Sequence, residues 1–368
     1  MRKLEKLQIE NFKSIRQQTL ELGDLNVLIG ANGAGKSNLM QVFRFLREIR
    51  LQNLARYSLE RGADALLYRG RKVSPAMRVA VEFGEKGRRN GYRLALIPTD
   101  ENTLAVDHET AYVYDHQPKN GPRTVELGGA SREARLATSE EKIAQIIRTD
   151  LESYRVYHFH DTGATAALRG PAEVHDNRFL RPDAGNLAAF LYGLQQAHPE
   201  HFRNIQDVFR QIAPYFDGFN LAPAKINPDK IRLEWREKGS DSYFNGVALS
   251  DGSLRFLCLA TLLLQPDLPA IILLDEPELG LHPAAIGVLA DLLIAASMRT
   301  QLLVATQSVT LVNHLAPEQV WTTERKNGET VFQRLAKSDL TTWLESFAGA
   351  EGYGLGDMWE KNLLGARP

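Results

Sequence analysis

The chain has 368 residues, enough for one large domain with an inserted lobe or for two domains, and its 44 basic and 45 acidic residues leave a formal net charge of −1. That balance excludes a global attraction to nucleic acid or to a membrane surface, so any such binding would need a local patch. The single cysteine excludes a disulfide framework; Cys258 lies in the apolar run Leu257 to Leu264, which predicts a small buried side chain.

The N-terminal stretch MRKLEKLQIENF has no signal-peptide core, and no run approaches the ~18 apolar residues of a membrane helix, which predicts a cytoplasmic protein without a membrane partner. Leu7 and Ile9 alternate with polar residues, and Gln18 to Leu22 follow a turn around Lys13 to Arg16, predicting an antiparallel pair beside the next strand. That next strand opens the stretch LNVLIGANGAGKSNLMQVF, Leu25 to Phe43: an apolar strand, a glycine-rich turn, then an amphipathic helix. Gly30, Gly35, Lys36 and Ser37 fall in the spacing G-x-x-x-x-G-K-[ST] of a P-loop. Gly30, Gly33 and Gly35 let the backbone aim successive N–H groups inward, and the helix start adds its positive end. In this pattern the lysine reaches the β- and γ-phosphates and the serine hydroxyl coordinates Mg²⁺, so ATP with Mg²⁺ is the expected cofactor. Asn32, Ala34 and Asn38 complete the candidate contacts of the loop.

Further along, Val79, Val81 and Phe83, then Tyr92, Leu94 and Leu96, predict a hairpin with a basic turn; Lys86, Arg88, Arg89 and Arg93 either touch a nucleic-acid backbone or are simply solvated. From Ser139 the period becomes helical at Ile143, Ile146, Ile147 and Leu151, and again at Phe202, Ile205, Val208, Phe209 and Ile212. This predicts a compact, mainly helical insert over 139–240; no heptad pattern persists long enough for a coiled coil. Inside it, His158 and His160 would share one strand face, either as metal ligands with Asp161 or as edge histidines near the nucleotide. Asn186 marks the start of an apolar helix.

The stretch ALSDGSLRFLCLATLLL, Ala248 to Leu264, sets a serine, an acid and a glycine before a strongly apolar helix, either a second anion-binding helix start or a capped buried helix. The run Ile271-Ile272-Leu273-Leu274-Asp275-Glu276 is a buried parallel strand ending in carboxylates, a Walker B strand. Asp275 would order the Mg²⁺ shell, and Glu276 would polarise the attacking water. Gln301 to Thr306 is another apolar strand, ending at Thr306-Gln307-Ser308, and Asn327-Gly328 predicts a hairpin turn.

These motifs resemble the ABC-type ATP-binding heads of the SMC, RecF and OLD group. The turn Asn11-Phe12-Lys13-Ser14 resembles the N-F-[KR]-[SC] turn of that group, which makes Lys13 and Ser14 candidate nucleotide contacts. Leu249-Ser250-Asp251-Gly252-Ser253-Leu254-Arg255 resembles the ABC signature in the S-D-G-[ST]-x-R form of small SMC-like ATPases. By that resemblance Ser250, Gly252 and Ser253 contact the γ-phosphate bound by a partner's P-loop, which implies a head-to-head homodimer or higher oligomer. Glu278 to Pro283 resembles the D-loop that crosses to the partner, and Gln307 stands where these heads usually carry a histidine; a glutamine cannot change protonation state, so slow turnover is expected. The ending Leu355-Gly356-Asp357-Met358-Trp359-Glu360-Lys361 resembles that of small stand-alone ATPases lacking the nuclease domain of OLD proteins.

The expected fold is therefore α/β, a P-loop NTPase of the ABC head type with an N-terminal antiparallel β-subdomain and a compact helical insert. The expected divisions are 1–138 and 241–338 for the head, 139–240 for the insert and 339–368 for a tail. Expected functions are an ATPase that regulates a separate effector protein, as in antiphage defence, an ATP-gated clamp on DNA or RNA, or an ATP-bound scaffold with little turnover. The S-D-G signature argues against a transporter subunit.

Overall fold

The apolar runs around Val27, Leu273 and Leu303 become neighbouring strands in the computed structural model, which describes residues 2–85, 88–114, 121–336 and 354–364. In chain order, β1 (Lys3–Phe12), β2 (Ile15–Glu21) and β3 (Leu25–Ile29) lead into α1 (Lys36–Arg50), α2 (Leu54–Arg61) and α3 (Ala63–Leu66). Then come β4 (Met77–Glu85), β5 (Arg88–Pro98), β6 (Leu104–Tyr114), β7 (Arg123–Gly128), α4 (Lys142–Glu152) and β8 (Tyr154–Tyr157). The middle of the chain carries β9 (Ala172–Glu173), α5 (Leu187–Ala197), α6 (Pro199–Ile212), β10 (Phe216–Phe219), β11 (Lys230–Ile231), β12 (Glu234–Glu237) and β13 (Tyr243–Asn245). It continues with α7 (Asp251–Leu264), β14 (Ile271–Asp275), α8 (Pro283–Ser297), β15 (Gln301–Ala305) and α9 (Val309–Val312), and ends with β16 (Val320–Lys326), β17 (Glu329–Arg334) and α10 (Leu355–Glu360).

One six-stranded sheet has the order β17-β16-β3-β15-β14-β8, parallel except for β17, so the P-loop strand β3 lies inside it between β16 and β15. Both faces of this sheet are covered, which is why its strands read as continuous apolar runs. The pleat sorts them: Val27, Ile272, Leu274, Leu302 and Val304 enter one core with α5, α6, α7 and α8. Leu28, Ile271, Leu273, Leu303 and Ala305 enter the other with α1, α4 and the second sheet. That second sheet, of order β2-β1-β4-β5-β6-β7, is antiparallel throughout.

Three expectations need correction. The β1–β2 pair belongs to the antiparallel sheet, not to the sheet of β3. The insert does not begin at 139, because Ile143, Ala144, Ile147 and Leu151 of α4 pack in the core of the β-subdomain and β8 pairs with the Walker B strand. Helical periodicity marked α4 correctly as a helix, but period alone does not say which core a helix serves. The region beyond β8 is less helical than expected, since β10, β12 and β13 form a small sheet of their own against α6.

The β4–β5 hairpin forms, but its basic residues are engaged: Arg89 pairs with Glu5 at 2.7 Å and Arg93 lies 4.2 Å from the Tyr112 ring centroid. Lys86 lies outside the described residues, as does most of the expected tail, of which 354–364 is described. Asn327 (φ 54°) and Gly328 (φ 83°) make the predicted β16–β17 turn. No helix among the described residues is long and apolar enough to cross a membrane.

Candidate functional site

Parallel pairing brings the carboxyl ends of β3, β15 and β14 side by side, so the loops leaving them converge. The loop after β3 turns at Gly30 (φ 147°) and Gly35 (φ 119°). A Cβ would lie 2.2 Å from the Thr323 carbonyl oxygen at Gly30 and 2.1 Å from Thr330 Oγ1 at Gly35. The loop is therefore seated directly on the β16–β17 hairpin. Thr330 Oγ1 donates to the Ala34 carbonyl at 2.8 Å and lies 2.7 Å from Ser14 Oγ, which also accepts from Asn38 Nδ2 at 2.6 Å. Gly35→Ala is expected to cost ~1–3 kcal/mol from backbone strain alone, with a further loss from the collision, read as a lower thermal midpoint and weaker nucleotide binding.

Lys36 is only 6% exposed, yet its ammonium donates to main-chain carbonyls, those of Gly30 and, at 3.3 Å, Ala31. Burial pushes its pKa down, opposed by the charges of Glu276, Asp275 and Glu278. Beside it, Asn32 and Gly33 in the turn before α1 and Ser37 in its first turn are exposed. A buried cation turned onto its own loop, next to open amides at a helix start, fits a phosphate chain.

Asp275 ends β14 partly buried; burial, then Glu276, raises its pKa, while His160, Arg44 and Lys36 pull it down. The carboxylate of Asp275 and the hydroxyl of Ser37 are hard oxygen donors, the kind magnesium takes. Glu276 leaves the strand at φ 45°, its N–H donating to the Ala305 carbonyl at 2.7 Å. Gln307, just beyond β15, donates from Nε2 to Glu276 Oε1 at 2.5 Å and to Asn32 Oδ1 at 2.6 Å. One amide thus spans the loops of β3, β14 and β15.

Glu278 stands behind this bridge. Its Oε1 accepts from Thr306 Oγ1 at 2.5 Å and from the Gln307 N–H at 3.0 Å, while the buried Oε2 finds no partner among the described residues. Burial raises its pKa, the hydrogen bonds opposing. A carboxyl that binds its proton more tightly folded than unfolded favours the fold below its ordinary range, and that contribution is lost as pH rises toward the folded value. Glu278→Gln removes this loss. Its thermal midpoint relative to the parent is expected to climb as pH rises above the ordinary carboxylate range, as followed by differential scanning calorimetry.

Ser250 caps α7, its Oγ accepting from the Ser253 N–H at 3.1 Å. At Gly252 a Cβ would lie 2.6 Å from the Gly280 carbonyl oxygen, so the signature turn packs on the segment after the Walker B strand. No hydrogen bond among the described residues joins 250–253 to 30–38. Lys13 (φ 51°) sits in the tight β1–β2 turn, its ammonium donating to Gln41 on α1, and burial followed by the Arg61 charge lowers its pKa. Ser14 is buried and committed to Thr330 and Asn38, so its part is to brace the loop.

The histidines lie beyond the end of β8 and share no strand face. His158 Nε2 accepts from the Arg44 guanidinium at 2.5 Å, and burial followed by the Arg44 charge lowers its pKa to about 4, so it is neutral. No cluster of three or more potential metal-binding side chains occurs among the described residues. Cys258 is buried and its thiol is pushed up to about 12, which makes it inert.

Thr330 was missed in the sequence, while Thr306 and Arg255 were marked only as members of their motifs, without the contacts they make with Glu278 and with the Phe159, His160 and Leu279 carbonyls. Thr330 sits in a β-hairpin nearly 300 residues from the loop it holds, and no local pattern marks such a contact.

A family profile described as "AAA domain, putative AbiEii toxin, Type IV TA system" matches residues 25–313. The DNA replication and repair protein RecF of Renibacterium salmoninarum is 27% identical over 220 residues, 56% of this chain and 55% of that protein. Structural maintenance of chromosomes protein 1 of Schizosaccharomyces pombe is 27% identical over 125 residues, 30% of this chain and 10% of that protein. The chain thus spans about half of the first relative and a tenth of the second. Among solved structures, an Smc head bound to the C-winged helix domain of ScpA superimposes with a TM-score of 0.60 at 18% identity, covering 92% of this chain and 99% of that one. The Smc head from Pyrococcus furiosus bound to the C-terminal domain of ScpA gives 0.57 at 16% identity, covering 94% and 99%.

Proposed function

The chain belongs to this AAA-domain family and has the fold of ABC-type SMC heads, and on that premise we propose that it is an ATPase whose ATP–Mg²⁺-dependent head-to-head dimerisation regulates a separate effector protein. The observation that carries this reading is the Gln307 amide joining Glu276 to Asn32, which gathers P-loop, Walker B and switch segments into one half-site while Ser250 stays apart from it. The missing half is the signature of a second copy.

In this reading Lys36, Asn32, Gly33, Ala34, Gly35, Ser37 and Asn38 hold the phosphates, and Ser37 and Asp275 hold the metal. Bound Mg²⁺ would neutralise charge on the phosphates and orient them for in-line attack. Glu276 takes the proton of the attacking water, and Gln307 orients that water or the γ-phosphate once its amide is drawn off Glu276. Ser250, Gly252 and Ser253 close on the phosphate held by the partner. Lys13 lies at the nucleotide's flank. The ScpA-bound head supports a separate protein partner by analogy, and a role in defence is compatible with the family description, which names a "putative AbiEii toxin, Type IV TA system". A cytoplasmic location accompanies this reading.

A solution-mass measurement without nucleotide, with ATP–Mg²⁺, and with ATP–Mg²⁺ on Glu276→Gln, together with phosphate release, tests it. Dimerisation driven by ATP supports the switch; a constant assembly with little turnover replaces it by an ATP-bound scaffold. A second reading, a clamp on DNA or RNA, draws on a pocket of about 460 Å³ beside α1 and α2, lined by Arg44, Arg47, Arg56 and Arg61 among others. Glu48 and Glu60 line it too, and Glu60 pairs with Arg56 at 2.9 Å and Arg61 at 3.5 Å, so the pocket is only partly basic; a steep fall in oligonucleotide affinity with added salt would favour this reading.

A further inference from the structure

We propose that Arg255 is a positioning residue that locks the start of the signature helix to the two chain segments flanking the Walker B carboxylates. The inference rests on the proposed function, in which Ser250 must meet a partner's phosphate in register with Asp275 and Glu276.

Arg255 lies on α7 five residues after Ser250 and is 7% exposed. Its guanidinium spends its donors on three main-chain carbonyls from two separate segments: Nε donates to Phe159 at 3.0 Å, Nη2 to His160 at 3.1 Å, and Nη1 to Leu279. The nearby acid on its own helix, Asp251, is bonded by Arg169 at 2.6 Å instead. Glycines clear the space on both sides. A Cβ at Gly280 (φ 75°) would lie 2.9 Å from Arg255 Nη1, and a Cβ at Gly252 would lie 2.6 Å from the Gly280 carbonyl.

Each segment held in this way leads into the catalytic half-site. The stretch 158–160 reaches the P-loop helix through the Arg44–His158 hydrogen bond, and the charge of His160 acts on Asp275. The stretch 279–280 comes directly after Glu276 and Glu278. A shift of Asp275, Glu276 or α1 on nucleotide binding is therefore carried to Ser250 through one planar fork. Three carbonyls arranged around that plane match the guanidinium; a lysine ammonium, with its donors on one atom, cannot span them.

The test uses Arg255→Lys and Arg255→Met in the full chain. The readouts are affinity for a fluorescent ATP analogue, steady-state kcat and KM, thermal midpoint, and amide hydrogen exchange with and without ATP–Mg²⁺. A positioning role predicts P-loop exchange protection and ATP affinity within about twofold of the parent, but kcat down at least about tenfold and the ATP-induced protection of 250–256 lost in both variants. Arg255→Lys keeps the charge and most of the volume, so it decides the matter if Arg255→Met unfolds. Parent-like kcat and protection in Arg255→Lys overturn the proposal, and so does a parallel fall of ATP affinity and thermal midpoint, which marks a merely structural residue. Failure of the parent to dimerise with ATP overturns the head-to-head reading instead, while the exchange comparison within one chain still decides the role of Arg255.

Discussion

Glu276→Gln is expected to lower phosphate release by ~10²–10⁴-fold while ATP binding persists, because it removes the proposed general base and keeps the shape of the side chain. Gln307 bonds Glu276 Oε1 at 2.5 Å, and the amide oxygen of the introduced glutamine accepts the same hydrogen bond, so the half-site stays assembled. Without hydrolysis the ATP-bound form accumulates, and the variant should elute at twice the monomer mass in saturating ATP–Mg²⁺, returning to monomer when nucleotide is removed. A variant that hydrolyses at the parent rate would take the base assignment away from Glu276. One that stays monomeric with ATP bound would count against the dimer.

Lys36→Ala is expected to weaken ATP binding by at least ~10- to 100-fold, since hydrogen bonds from a charged donor contribute ~1.5–3 kcal/mol each and in the proposed site the lysine would meet two phosphates. The change also leaves the carbonyls of Gly30 and Ala31 without the ammonium that bonds them, so some loss of stability accompanies it. Equilibrium titration with a fluorescent ATP analogue separates the effects when run below the lowered melting point. Affinity within twofold of the parent would remove Lys36 from the phosphate site.

The parts of the site legible in the sequence were those whose chemistry is local. The P-loop announces itself because glycines, lysine, serine and the following helix must be adjacent along the chain to make one cradle. The Walker B strand does so because a strand buried on both faces has to be apolar until its carboxylates emerge. The contacts that hold these pieces together were not legible. Thr330 under Gly35, Glu278 under Gln307 and Arg255 across two carbonyl-bearing segments are contacts between residues remote in sequence, and a threonine, a glutamate or an arginine carries no periodicity that predicts its partner. The misplaced start of the insert has the same origin: α4 has a clear amphipathic face, but that face reports only that it packs, and the β-subdomain was the surface it met.

The position of β3 bears on how the protein is made. Its neighbours on either side are β15 and β16, residues 301–305 and 320–326, and the loop it feeds rests on Thr330. During synthesis the strand with the most recognisable motif thus emerges first among its sheet neighbours and waits longest for them, an apolar segment with both edges open. Parallel pairing over such separations carries a large loop-closure entropy and folds slowly. On the proposed function, competence to hold a nucleotide is then a late event, reached only when the C-terminal hairpin docks, and a chain stalled before Gln301 presents an adhesive strand in place of a binding loop.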